Sequence, residues 1–243
     1  MTQPMSEYSF KFFLFTFLLI TCSTLCFAQQ KETNKQTEEE PKKKKKEKLK
    51  LSSIRAGTEI IHIFSTAVGN DITGYEINAD IGFNNKFFGV VDFGVENYIR
   101  NSQENNYEYK SNGFYYRVGF DYNLLYKKTA NEALSFGLRY GISSFDHQLT
   151  YIDEDEFWGT SQEYTVNDAQ LSGSWIEVVM AFKVELFKNI YLSPNLRLKF
   201  LSGKSDTQFV SIADIPGYGN TKSNTRVNIS YTLLYKLPLG KKK

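Results

Sequence analysis

Cysteine, histidine and proline are scarce in this chain: two, two and five among 243 residues. Both cysteines, Cys22 and Cys26, precede residue 27. The rest of the chain can therefore build neither a disulfide framework nor a thiolate metal site. An excess of one charge is missing too. Lys and Arg total 29 against 27 Asp and Glu, a formal net of +2, which argues against an extended basic face for nucleic acid. No phosphate loop, dinucleotide fingerprint or nucleophile elbow occurs, so the enzyme classes those motifs mark have no support. What the chain does hold is aromatic mass. Its 20 Phe and 16 Tyr, with only 16 Gly, are far from a collagen-like or solvating composition.

The first 50 residues stand apart. Residues 1–28 read as a secretory leader: one cation at Lys11, the apolar run FFLFTFLLI over residues 12–20, then Cys26-Phe27-Ala28 with cleavage before Gln29. The run is shorter than the roughly 20 residues a helix needs to span a bilayer. Cys22 follows Thr21 and Cys26 follows Leu25, so a lipoprotein signal is not expected. Residues 29–50 hold nine Lys, five Glu and one large aliphatic residue, Leu49. They cannot bury enough surface to offset ordering entropy and read as a disordered tether. Lys42 to Lys46 suit either attachment to an anionic surface such as phospholipid headgroups, or a solvated charge run. With +4 in the tether and zero in the leader, residues 51–243 carry a net −2.

From Leu51 onward the hydropathy pattern has period two, which places alternate side chains on opposite faces of a strand. The last strand is the clearest. Val227, Ile229, Tyr231, Leu233, Tyr235 and Leu237 interleave with Arg226, Asn228, Ser230, Thr232, Leu234 and Lys236. Seven more strands follow the same rule. The first, near residues 53–64, is the weakest, with Arg55, Gly57 and Glu59 on its polar face before Ile61 and Ile63. No window of helical length keeps apolar residues at three-and-four spacing. Pro194, inside the seventh strand, predicts a bulge, because a closed ring has no edge on which to place it.

Connection lengths alternate. Short links fall at residues 84–86, 127–132 and 188–189; long ones fall at 100–111, 150–171 and 203–222, with an intermediate one at 65–73. In an up-and-down meander this puts every tight turn at one rim and every long connection at the other, the asymmetry of bacterial outer-membrane barrels. The expected fold is all-β, an eight-stranded antiparallel up-and-down transmembrane barrel, with the tether on the periplasmic side. Periodicity alone leaves open a soluble lipocalin-like carrier with the two faces inverted.

If the polar faces point inward, fifteen ionic side chains meet in a lumen only wide enough to be filled by side chains. Arg55, Arg117, Arg139, Lys183, Arg197, Lys199 and Arg226 are the cations. Glu59, Glu76, Asp80, Asp92, Glu96, Asp121, Glu177 and Glu185 are the anions. Near-equal numbers predict a lumen charge network of ion pairs rather than free charges, since an unpaired buried ion costs several kcal/mol. A packed ionic interior is a poor pore.

The exported chain, the cysteine-free alternating meander and the terminal Tyr231-Thr232-Leu233-Leu234-Tyr235-Lys236-Leu237 strand resemble the small outer-membrane barrels of the OmpX, OmpA and PorT-like type, across residues 51–240. The resemblance implies residence in the cell outer membrane with lipid as its neighbour, and insertion by the barrel-assembly machinery, which reads the final strand. It also implies a structural, surface-binding or secretion-accessory role with a surface or secretion protein partner, and no cofactor. Here the strand is followed by Pro238-Leu239-Gly240 and three lysines, instead of ending on the aromatic residue frequent in that group.

Two further features carry chemistry. His147 follows Asp146, with Ser143 and Ser144 close before it, so a rim-site lipid hydrolase is the enzymatic alternative; hydrogen bonding at the rim is the plain reading. His62 has no second histidine or cysteine at metal-ligand spacing. The four successive acids of Asp153-Glu154-Asp155-Glu156-Phe157-Trp158 could hold calcium through their carboxylate oxygens, although the glycine and terminal glutamate of a helix-loop-helix calcium site are absent. The stretch otherwise reads as a solvated acidic loop or as a partner contact anchored by Trp158.

Overall fold

In the computed structural model, the described residues are 49–68, 71–102, 106–127, 132–155, 160–207 and 210–238. The leader with its cleavage at Ala28, nearly all of the tether, Glu156 and Trp158 lie outside them.

Eight long strands form one closed antiparallel ring: β1 (Leu51–Glu59), β2 (Ile72–Phe83), β3 (Phe87–Ser102), β4 (Tyr107–Asn123), β5 (Glu132–Asp155), β6 (Thr160–Phe187), β7 (Ile190–Lys204) and β10 (Thr225–Lys236). Neighbours in the ring follow chain order, and β10 closes on β1. A nine-residue helix, α1 (Ile60–Val68), joins β1 to β2, and two short strands, β8 (Asp214–Ile215) and β9 (Gly219–Asn220), pair between β7 and β10. The fold class is the one the alternation indicates.

Tight turns fall at one rim. Asn84 and Asn85 both have positive φ, 53° and 54°, and Lys86 N–H returns to Phe83 O at 2.9 Å. Two successive left-handed residues make a type I′ turn, whose twist matches that of the strands, and asparagine tolerates that conformation better than other side chains. Asn189, at φ 67°, serves the β6–β7 turn in the same way.

The alternation resolves into two surfaces of opposite character. Tyr75, Ile77, Val91, Tyr116, Val118, Phe120, Leu138, Ile176, Ile229 and Leu233 all point outward and are 40–60% exposed. In water such a belt would be unfavourable at about 25 cal/mol per Å². Against acyl chains it is the ordinary exterior of a membrane barrel, and ring closure leaves few backbone groups unpaired. The faces are therefore opposite to those of a lipocalin-like carrier. At the tight-turn rim Phe87 packs on Tyr122 and Tyr122 on Tyr126, with centroids 5.4 and 6.2 Å apart, and the Lys86 ammonium lies 5.1–5.8 Å from all three rings. Aromatic rings beside a cation suit the headgroup level.

Four sequence expectations need correction. The first strand ends at Glu59, and residues 60–68 are helical. Ile60, Ile63, Phe64 and Ala67 do keep three-and-four spacing, but over a window too short to stand out beside the strands. Pro194 sits at no bulge: it pairs in register with Tyr231 of β10. On its other side the β6–β7 ladder keeps its register but skips Ser193 and Pro194, running from Ala181↔Asn195 to Val184↔Leu192. Without an N–H, Pro194 drops rungs without shifting the strand. Third, the connections at 100–111 and 150–171 are largely strand, because β3–β4 and β5–β6 continue as paired hairpins to Ser102↔Tyr107 and Asp155↔Thr160. Last, the connection after β7 folds back into the mouth, where Ile215 and Tyr218 are buried.

The ring has one short ladder. β1 pairs with β10 only from Arg55↔Lys236 to Glu59↔Thr232, five positions, whereas β5 and β6 pair at 23. Above that level the chain leaves β1 as α1, which packs on β2 and β10. The Glu59 carboxylate accepts the backbone N–H of Tyr231 at 3.2 Å and, from its other oxygen, that of His62 at 2.7 Å. One side chain thus caps the helix and satisfies the edge of β10.

Candidate functional site

The inward positions of the eight strands stack charged residues in layers. Nearest the tight turns, Asp80 takes Arg55 Nε at 2.8 Å and Lys183 Nζ at 2.9 Å. Asp121 takes Arg139 at 2.5 Å and lies 3.7 Å from Lys183. Phe88 fills the space beneath, with the Arg55 guanidinium 4.6 Å and the Lys183 ammonium 4.5 Å from its ring centre. This layer has three cations and two anions.

The next layer inverts that ratio. Arg117 pairs with Glu76, with Asp92 at 3.2 Å and with Glu177 at 3.6 Å. Arg197 lies 3.4–3.6 Å from the same three carboxylates. Asn78 donates to Glu76 and Asp92 at 2.8 Å, Tyr115 donates to Glu76 at 2.5 Å, and Trp175 Nε1 donates to Glu177 at 2.7 Å. Two cations face three anions, so the two layers together are neutral. Such groups are tolerable without water only because each meets partners of opposite charge and further hydrogen bonds. Around them the spaces left within the lower barrel measure about 10 and 30 Å³, enough for about one water each.

Above the ions the interior turns apolar. Tyr115, Phe145, Leu171 and Trp175 from the wall pack with Ile212, Ile215 and Tyr218 of the returning connection, forming a plug. Two ionic residues of the wall hold the plug backbone: Glu96 accepts Gly217 N–H at 3.1 Å, and Lys199 donates to Gly217 O at 2.6 Å. Asp214, on the plug itself, is buried beside Glu96. Burial first and the Glu96 charge second push its carboxyl up to about 7, against the opposing pull of Arg226 and Lys199. Between plug and ion layers lies a cavity of about 300 Å³, reaching from Glu76 and Arg117 to His62 and Arg226.

Of the fifteen charges on the polar faces, thirteen are buried; Glu185 and Arg226 are half-buried. Glu185 accepts the N–H of Asn189 at 3.0 Å in the β6–β7 turn. Glu59 serves the helix cap, and Glu96 and Lys199 serve the plug. The ion layers proper are Arg55, Asp80, Asp121, Arg139 and Lys183, then Glu76, Asp92, Arg117, Glu177 and Arg197. Asp153, Glu154 and Asp155 continue β5, opposite Gln162, Ser161 and Thr160 of β6, so they belong to a hairpin and not to a loop.

His147 is buried at the outer rim between Tyr109, whose hydroxyl is 3.2 Å from Nδ1, and Asp168, 3.0 Å from Nε2. Its neighbour Asp146 instead accepts Gln170 N–H at 2.7 Å. Ser143 donates to Phe114 O, and Ser111, opposite His147 in the ladder, donates to Asp214 O. No serine hydroxyl among the described residues bonds this imidazole, so the nucleophile–base pair of an acyl hydrolase is not assembled. Among the described residues no three His, Cys, Asp or Glu side chains are placed to hold a metal ion.

The aromatic half of the interior escaped sequence reasoning, although its mark is in the sequence. Tyr115 and Trp175 fall on the charged parity of their strands, and each stands directly across the ladder from a glycine, Gly94 and Gly141. A Cβ on either glycine would overlap the ring. A large aromatic paired with glycine on an otherwise ionic face marks a ring laid flat across the lumen. The plug shows as Ile212-Ala213-Asp214-Ile215-Pro216-Gly217-Tyr218, an apolar stretch with a turn inside a connection.

A closed eight-stranded ring, apolar outside and ionic within, defines the class: a small transmembrane β-barrel with an ionic interior. Within that class, the model of the domain of unknown function DUF6048 matches residues 9–242, and the chain belongs to this family. No curated protein matches the chain. Among solved structures the chain is similar to Ail, the attachment invasion locus protein of Yersinia pestis, at 9% identity, covering 77% of this chain and 98% of that one with a TM-score of 0.40. It is also similar to Neisserial surface protein A (NspA), at 11% identity, covering 79% and 100% with a TM-score of 0.36.

Proposed function

We propose that this protein is an integral outer-membrane barrel of structural or interaction type, not an open pore and not an enzyme. Its outward hairpins would serve membrane integrity, surface binding or a secretion machine. The observation that carries the reading is the ionic floor of the lumen, where two mutually neutral layers leave spaces of about 10 and 30 Å³ beneath the 300 Å³ cavity that Glu76, Arg117 and Arg197 border. Lipid surrounds the apolar belt, and the barrel-assembly machinery inserts the chain. A surface or secretion protein is the partner that the projecting β3–β4 and β5–β6 hairpins suit.

Two measurements test this. The refolded barrel in planar lipid bilayers is expected to give no stable single-channel steps; large, reproducible steps would overturn the closed-lumen reading. In cell fractionation the chain is expected in detergent-requiring membranes with heat-modifiable gel mobility. Release by osmotic shock would overturn the membrane assignment.

A further inference from the structure

At the outer mouth, above the apolar belt, a cleft of about 620 Å³ opens between the inner wall of the projecting strands and the connection that returns after β7. Its volume lies within the roughly 300–1,000 Å³ range of small-molecule sites. The wall is built by register. Arg100 of β3 stands opposite Tyr109 of β4, and Tyr107 of β4 opposite Tyr151 of β5, so alternation directs all four side chains to one inner surface. From the other side come Lys204 and Lys222.

Among the described residues the lining holds these three cations and no carboxylate. Elsewhere in the interior Arg55, Arg117, Arg139, Lys183 and Arg197 are each paired with an acid. Arg100, Lys204 and Lys222 are exposed to solvent, and none is ion-paired with a carboxylate among the residues whose side chains are described, which leaves aside Asp153, Glu154 and Asp155. The aromatic side is held in place. Tyr151 stacks on Tyr164 with centroids 5.5 Å apart and planes 22° from parallel. Tyr109 packs edge-on against His147, and its hydroxyl accepts Ala213 N–H at 3.2 Å. Tyr109 is itself buried and forms the floor behind the more exposed rings of Tyr107 and Tyr151. A positively charged rim over fixed aromatic rings matches one chemistry: an acid group for the cations, and a flat apolar body for the tyrosines.

We propose that this cleft binds a water-soluble organic anion with a planar or ring-shaped body, its acid group among Arg100, Lys204 and Lys222 and its ring against Tyr107 and Tyr151. The inference goes beyond the proposed function and is separable from it, since a barrel that conducted ions would still carry the cleft.

The test uses the full barrel in nanodiscs, with empty nanodiscs as blank, and naphthalene disulfonate as probe in saturation-transfer NMR titrations. Saturable binding in the submillimolar range is expected. Sulfate alone and neutral dihydroxynaphthalene should bind at least tenfold more weakly. Arg100→Gln and Lys222→Gln should each weaken the probe about tenfold, and Tyr151→Ala by several-fold, with unchanged heat-modifiable mobility. Four results would each overturn the proposal. These are no saturable binding, sulfate equal to the probe, the neutral ring equal to the probe, or folded variants that bind like the parent.

Discussion

Tyr115 Oη donates a 2.5 Å hydrogen bond to Glu76 Oε2, while the face of its ring lies against Gly94 of β3 and Gly217 of the plug. One side chain, itself fully buried, thereby ties the inner ion layer to the wall and to the segment that closes the mouth. The hydrogen bond fixes where the ring can lie, and the two glycines are the room it needs. Gly217 adds a backbone reason, because its φ of 78° is left-handed.

Glycine-to-alanine substitutions separate this packing from general sensitivity. Gly94→Ala and Gly217→Ala are expected to lower the urea midpoint of the detergent-refolded barrel by an amount equivalent to about 1–3 kcal/mol, the usual cost of overpacking. Gly89, which points outward and where an added Cβ would meet nothing within 4 Å, is the control. Gly89→Ala should be neutral within about 0.5 kcal/mol.

Removing one guanidinium should cost more than removing its partners together. Arg117→Met leaves Glu76, Asp92 and Glu177 with Arg197 alone, and a loss of about 3–5 kcal/mol is expected for uncompensated buried charge. Adding Glu76→Gln and Glu177→Gln to Arg117→Met should recover part of it in the same urea titration. Equal stability of parent and Arg117→Met would show that the ion layer is not dry.

The plug should answer to pH through Asp214. Its carboxyl titrates at about 7 when docked, against 3.8 for an ordinary aspartate. The docked state therefore holds the proton more tightly. Its contribution to docking is complete below about pH 3.8, and it is lost as pH rises through about 7. Amide exchange over residues 210–222, corrected for intrinsic rates, is expected to slow from pH 8 to pH 5. Asp214→Asn should flatten that dependence, and a parent profile already flat would refute it.

His147→Ala removes the link between Tyr109 and Asp168 at the outer rim. About 1–2 kcal/mol of local stability should go with its two hydrogen bonds, read as faster proteolysis of the β5–β6 hairpin with the barrel intact. Phospholipid and lipid A profiles of cells expressing the variant should match those of cells expressing the parent. A changed acylation pattern would restore the hydrolase alternative.

What the sequence made legible follows its strictest rule. Strands such as 116–124 and 226–237 obey period two because lipid and lumen impose opposite chemistry on successive residues. The exceptions are where another constraint prevails. Ile60 to Val68 serve a helix, since β1 stops at Glu59, whose carboxylate caps the first turn. Tyr115 and Trp175 break the polar face because the plug needs an apolar seat. The Tyr109–His147–Asp168 chain joins neighbouring strands, and His147 follows a register shift between Phe145 and His147 that alternation alone does not reveal.

The five-rung ladder between β1 and β10 also sets the order of events in the life of the cylinder. It joins segments some 170 residues apart, as in the 172-residue separation of Glu59 and Tyr231, so it carries the largest loop-closure entropy with the fewest rungs to offset it. The other seven ladders link strands that adjoin along the sheet meander and can zip locally. The wall is therefore a ribbon fastened last at its two ends, and the Glu59 carboxylate is the clasp at the top of that fastening.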